Sequence, residues 1–177
     1  MRFQETTLPG VFLVSSEGLE DDRGWFARTF CRREFARQGL NPRVAQCNLS
    51  RNRKKGTLRG MHYQEAPHGE AKLIYCLRGS LYDVAVDLRR DSPTFRQWEA
   101  FVLRADEPRF LYLPEGTAHG FQTLEDDTEV FYQMSAFYHP ESGRGVRWDD
   151  PAFGIVWPPV EQRIISQKDQ TWPDFVG

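Results

Sequence analysis

The sequence is poor in the features that mark membrane, secreted and nucleic-acid-binding proteins. Its 177 residues include only three cysteines, Cys31, Cys47 and Cys76, with no C-x-x-C pair and no metal-ligand spacing. So sparse and odd a set of thiols fits a reduced, intracellular protein. No apolar run approaches the ~20 residues that span a bilayer. The opening MRFQETTLPG lacks the apolar stretch of a signal peptide. A cytoplasmic protein with no membrane partner is expected. Lys and Arg number 23 against 25 Asp and Glu, and a net charge of −2 lacks the basic excess of a nucleic-acid binder. There is no Gly-x-Ser-x-Gly elbow, no Walker loop and no Gly-x-Gly-x-x-Gly, which removes the usual hydrolase, NTPase and dinucleotide readings. Repeats, low-complexity linkers and domain boundaries are missing too. Residues 1–177 read as one domain, long enough for one core and short for two.

What is present is aromatic and finely punctuated. Phe, Tyr and Trp make up 14% of the chain, and Gly or Pro turn signals recur throughout. Between them lie runs rich in branched and aromatic residues: 10–16, 43–50, 57–64, 71–77, 80–88, 98–103, 109–113, 119–124 and 128–137. Their length and composition predict strands. One helix is expected over 32–38, with Gly39 as its stop. Helices between strands, which a doubly wound fold needs, are lacking. The pattern predicts an all-β double-sheet barrel of jelly-roll type.

One strand is too polar for its place. Residues 56–65, GTLRGMHYQE, crowd Arg59 and His62 among glycines where a sheet favours branched apolar residues. Alternation puts His62 on the side of Leu58 and Arg59 on the other, so both reach one pocket only if Gly60 forms a bulge. By the same rule Lys72 faces inward with Ile74 and Cys76, and Tyr132 with Val130 and Met134. The nearby run Arg51, Arg53, Lys54 and Lys55 is either a solvated loop or a positive rim for a phosphorylated small molecule.

The four histidines are His62, His68, His119 and His139. A metal-binding jelly roll usually carries two histidines one residue apart, and here Gln64 occupies the position that would follow His62. No metal is expected in such a site. His62 is either satisfied by a backbone hydrogen bond or serves as a general base near neutral pH. An inward ammonium at Lys72 is costly unless it meets an anion or a developing negative charge. Tyr132 is either a core tyrosine or a proton donor. Together these groups suit the breaking of a C–H bond next to a carbonyl: a base, a cation for the enolate oxygen, and an acid.

Six segments in order, DDRGWFARTF, GTLRGMHYQ, LYDVAVDLRRDSPTFRQW, LPEGTAHGF, RWDDPAFGIVWP and ISQKD, resemble the dTDP-4-dehydrorhamnose 3,5-epimerase family, from about Gly18 to Asp169. The resemblance implies a cupin-type double-stranded β-helix with a few short helices, a homodimer, and chemistry without metal or other cofactor. It implies inversion of carbons 3 and 5 of a nucleotide-linked 4-keto-6-deoxy sugar. His62 would be the base, Asp169 its partner, Lys72 the enolate-stabilising cation and Tyr132 the acid. Arg59 and Arg23 would grip the diphosphate, as guanidinium forks do well, and Gln46, Asn48 and His119 would line the sugar and nucleotide pocket.

Several positions depart from the family pattern. Arg28 replaces a usual glutamate, Cys47 and Leu49 replace Asp and His, Tyr75 and Gln133 replace basic residues, and Thr117 replaces Phe. If Arg28 touches the base, the nucleotide need not be thymidine. A CDP- or GDP-linked keto sugar and a monoepimerase therefore stay open beside the dTDP-linked double epimerase. A ketoisomerase and a non-catalytic sugar-nucleotide module are the other classes.

Overall fold

Two antiparallel sheets face each other in the computed structural model, which describes residues 1–177. The chain begins with β1 (Arg2–Glu5), β2 (Phe12–Ser15), β3 (Leu19–Asp21), β4 (Gly24–Phe26) and α1 (Arg32–Arg37). The long strands follow: β5 (Gln46–Asn52), β6 (Thr57–Gln64), β7 (Lys72–Arg78), β8 (Ser80–Asp87) and β9 (Trp98–Arg104). Then come β10 (Arg109–Leu113), β11 (Thr117–Thr123) and β12 (Thr128–Met134). Short pieces close the chain: β13 (Gly143–Gly145), β14 (Ile164–Ile165) and α2 (Gln167–Gln170). One sheet runs β1-β2-β10-β7-β12-β5 and the other β13-β6-β11-β8-β9, with β14 added in parallel to β6. The jelly-roll barrel expected from the strand pattern is the fold observed. No helix is long and apolar enough to cross a membrane.

Period-two alternation builds the layers. In β8, SLYDVAVD, Leu81 and Ala85 enter the core between the sheets, while Val84 and Val86 face the outer side. Ile74, Leu111, Phe121 and Val130 from four other strands complete the inner core. Phe35 of α1 covers the outer face of the first sheet. Val146, Phe153 and Trp157 cover the outer face of the second. With both its faces covered, β11 is buried at every residue.

The expected strands over 57–64 and 109–113 coincide with β6 and β10. The segment 10–16 shortens to β2 because Gly10 turns the chain at φ +78°. The segment 128–137 stops at Met134. The helix ends at Arg37, with Gln38 as its cap and Gly39 in the left-handed region at φ +72°. The pieces that the sequence pattern did not announce, β1, β3, β4, β13, β14 and α2, are two to four residues long. Elements so short carry too few residues to display a period.

Candidate active site

The open end of the space between the sheets is a cavity of about 710 Å³. Strand β6 reaches it through a bulge. His62 pairs with His119 and Arg59 pairs with Phe121, so β6 carries one residue more than β11 between these two pairs. Gly60 takes up the extra residue at φ +130°, where a Cβ would meet the His119 carbonyl at 2.9 Å. The bulge resets the alternation. Leu58 and Met61 pack in the outer cluster, while Arg59 and His62 both line the cavity. His62 therefore does not share the face of Leu58 that strict alternation assigned to it.

Asp169 arrives from the far end of the chain. The pairing of Ile164 with Thr57 and Ile165 with Leu58 lays β14 along β6 and delivers α2 beside the bulge. Ser166 caps α2 by accepting a hydrogen bond from the Asp169 N–H at 3.1 Å. The result is a contact of 2.6 Å between His62 Nε2 and Asp169 Oδ1. Asp169 Oδ2 also accepts from the Gly60 N–H at 3.4 Å. Burial by itself would raise the Asp169 carboxyl; the bonds to His62, Gly60 and Ser166 outweigh it and hold the carboxyl below its ordinary range. The His62 side chain is 43% exposed and that of Asp169 only 6%, so the ring meets the cavity and the carboxylate lies behind it.

The facing sheet supplies Lys72 and Tyr132. Lys72 Nζ lies 3.2 Å from Glu70 Oε1 and donates to the His62 carbonyl at 3.3 Å. Glu70 answers the requirement that a buried ammonium find an anion, and sequence reasoning did not single it out. Tyr132 packs against the inner core, with its ring 6.2 Å from that of His119 in an edge-on arrangement. Burial, reinforced by the negative charge of Asp83, pushes its phenol well above the ordinary range, so it stays protonated near neutral pH.

His119 is buried and has its own carboxylate: its Nε2 lies 2.8 Å from Asp83 Oδ1. The two are misaligned for a hydrogen bond, and both Asp83 oxygens lack a donor. Burial raises the Asp83 carboxyl, against the pull of His119 and Lys72. A signal was available here, since Asp83 shares parity with Leu81 and Ala85 and so had to point inward. Gln46 and Asn48 line the cavity from β5. Arg59 lines it too, held by a bond from its Nε to Asn52 Oδ1 at 2.8 Å.

Two expected residues are absent from the cavity. Arg23 sits in the turn of the β3–β4 hairpin, 90% exposed and paired with Asp21. Arg28 follows that hairpin and pairs with Glu34 at 3.2 Å. Neither reaches the cavity of its own chain, because the hairpin stands apart from both sheets. The basic run is only partly paired: Lys54 meets Asp126 and Arg51 meets Asp127 and Glu129, while Arg53 and Lys55 have no ion-pair partner. Of the departures Arg28, Cys47, Leu49, Tyr75 and Gln133, only Leu49 lines the cavity. Tyr75 is buried on the outer face and bonds the Thr29 carbonyl. Trp172 and Arg144 were missed as lining residues, since the short C-terminal pieces that position them left no periodic trace.

A family model described as dTDP-4-dehydrorhamnose 3,5-epimerase matches residues 5–176. The chain belongs to the dTDP-4-dehydrorhamnose 3,5-epimerase family. A family member of that name from Methanothermobacter thermautotrophicus is 43% identical over 97% of this chain and 92% of its own. The crystal structure of the dTDP-4-dehydrorhamnose 3,5-epimerase from Elizabethkingia anophelis superposes with a TM-score of 0.96 at 37% identity, covering 99% of this chain and 96% of that one. A 3'-monoepimerase from Streptomyces bikiniensis, solved in complex with dTDP-quinovose, superposes at 0.87 with 34% identity, covering 96% of this chain and 85% of that one. Double epimerase and monoepimerase thus share this fold.

Proposed function

We propose that the chain epimerises a dTDP-linked 4-keto-6-deoxy hexose at carbon 3, carbon 5 or both, by proton removal and return through an enolate. The observation that carries this reading is the His62–Asp169 contact on one side of a cavity whose other side presents Tyr132 and Lys72. A carboxylate at Nε2 favours the tautomer with its proton there, leaving the Nδ1 lone pair as the base. In this reading Nδ1 takes the proton next to the ketone, and the electron pair moves onto the carbonyl oxygen. The Lys72 ammonium stabilises that oxygen. Tyr132 then gives its phenolic proton to the same carbon from the opposite face, which inverts it. Arg59 grips the diphosphate, while Gln46, Asn48 and His119 line the sugar and nucleotide region.

A homodimer belongs to the same proposal. Leu19 and Phe26 on the β3–β4 hairpin are 79% and 78% exposed, an apolar surface that a second copy would cover. In such a dimer, Arg23 and Arg28 are carried by the part of the chain free to approach the other copy's cavity, where they would contact substrate. Sedimentation velocity of Phe26→Glu should show a shift from dimer to monomer; a native protein that already sediments as a monomer refutes the dimer. Three free thiols fit a reducing compartment, and the cytoplasm is the proposed location.

The reaction is tested in D₂O with dTDP-, CDP- and GDP-linked 4-keto-6-deoxyglucose, reading deuterium by NMR. Incorporation at carbon 3, carbon 5 or both is expected with the dTDP sugar and counts the inverted centres. Incorporation only with the CDP or GDP sugar would change the nucleotide. No incorporation from any of the three would sink the epimerase reading.

A further inference from the structure

Outside the cavity, one cluster of ligating side chains is left without a role. His68, in the connection from β6 to β7, stacks on His139, in the connection from β12 to β13, with ring centroids 3.6 Å apart and planes 14° from parallel. The Glu141 carboxylate lies 3.2 Å from His139 Nδ1. One ligand atom from each of the three residues can be chosen so that all lie within 4.8 Å of one another. We propose that His68, His139 and Glu141 form a binding site for a divalent transition cation of the zinc type, clipping these two connections together at the cavity rim.

The backbone around the cluster is already fixed. Gln64, buried at the end of β6, accepts from the His139 N–H through its Oε1 at 2.7 Å and donates through Nε2 to the His68 carbonyl at 3.1 Å. One amide therefore holds both histidines at their stations, the kind of supporting contact that orients metal ligands. Ser142 Oγ contacts His68 Nδ1 at 2.8 Å, which leaves Nε2 of that ring for a metal. The Glu141 carboxylate makes its one side-chain contact with His139 Nδ1. The neighbouring cation does not occupy it: Arg144 bonds the carbonyls of Glu141 and Gly143 and the carboxylate of Glu65.

The donor chemistry is specific. Two imidazoles and a carboxylate suit zinc, nickel, copper or cobalt and suit magnesium or calcium poorly. Bonds of about 2.1 Å put neighbouring tetrahedral zinc donors about 3.4 Å apart. Reaching that value requires the stacked rings to open, because nearly parallel imidazoles cannot aim two in-plane lone pairs at one ion; His139, 37% exposed, and Glu141, 66% exposed, have room to turn. A fourth position would remain for water. The stacked, hydrogen-bonded pair is also stable without an ion, so the reading is decided by binding. It also differs from the interior site that the spacing after His62 argued against, because His68 and His139 come from separate connections and meet only in the fold.

Tag-free protein titrated with ZnCl₂ by calorimetry at pH 7.5 should show one saturable site, unmoved by excess MgCl₂. Glu141→Gln and His139→Ala should each weaken it by about tenfold or more, and His68→Ala combined with His139→Ala should remove it. His62→Asn should leave it unchanged. Titration with CoCl₂ should give the visible d–d bands of nitrogen and oxygen donors with no thiolate charge-transfer band. Saturable one-to-one binding that survives in the His68→Ala, His139→Ala protein overturns the assignment, as does a thiolate band or the absence of any zinc binding. Thermal stability should rise with zinc in the native chain and stay flat in the double variant.

Discussion

On the β6–β11–β8 sheet both cavity histidines stand against a carboxylate, His62 against Asp169 at 2.6 Å and His119 against Asp83 at 2.8 Å. On the facing sheet the reactive groups are a partly buried phenol, Tyr132, and an ammonium, Lys72, paired with Glu70. The Asp169 carboxylate behind His62 makes one wall proton-accepting. Desolvation, reinforced by Asp83, penalises the phenolate of Tyr132 and makes the other wall proton-donating. Two chemically opposite walls arise without any unusual residue; only the environments differ. The same contrast separates the carboxylates. Asp169 is well served with donors and is held low, whereas Asp83 lacks them and is pushed up.

Solvent exchange separates the two walls most sharply. His62→Ala removes the base and should cut deuterium incorporation about a thousandfold or more. A variant that keeps substantial exchange would shift the base to another residue. Asp169→Asn leaves the ring in place but weakens its tautomer preference, and exchange should fall by about a hundredfold. Tyr132→Phe should leave exchange nearly intact while product inversion drops, since it touches only the return of the proton. Loss of both to the same extent would show that the phenol does more than donate.

The smallest effect is on stability. The folded Asp169 carboxyl is held below its ordinary value, so its contribution is present above its unfolded value of about 3.9. That contribution is lost as pH falls through the lower folded value. In urea unfolding, Asp169→Asn should be less stable than the native chain near pH 6, with the gap narrowing below about pH 4. A gap that stays constant with pH would mean that the carboxylate's charge adds nothing to the fold.

The strand plan was legible because core strands alternate: the inward faces of β7 and β12 could be named from Ile74 and Val130. Lys72 and Tyr132 were legible for the same reason. Arg59 and His62 showed themselves as a conflict with alternation, and Gly60 marked where it would be resolved. The dyad was different. No local signal links His62 to Asp169, and only the resemblance joined them before the fold did. Glu70 left no trace, because its role depends on where the Lys72 ammonium ends. Arg23 was matched by motif to the diphosphate, and Arg28 was placed near the substrate by its position in that motif, yet in the single chain the hairpin and the residues after it stand clear of the cavity.

Sequence by itself determined the all-β class, the inward faces of the strands, the family, and a set of residues suited to proton transfer. These follow from composition and from period-two patterning, which act within a few residues. Tertiary structure alone decided the pairing of His62 with Asp169, the pairing of Arg51 and Lys54 with carboxylates, and the meeting of His68 with His139. It also left Leu49 as the one departure, among six, that lines the cavity. Those outcomes depend on contacts between groups far apart along the chain, brought together when β14 lies along β6 and the two sheets close on one core.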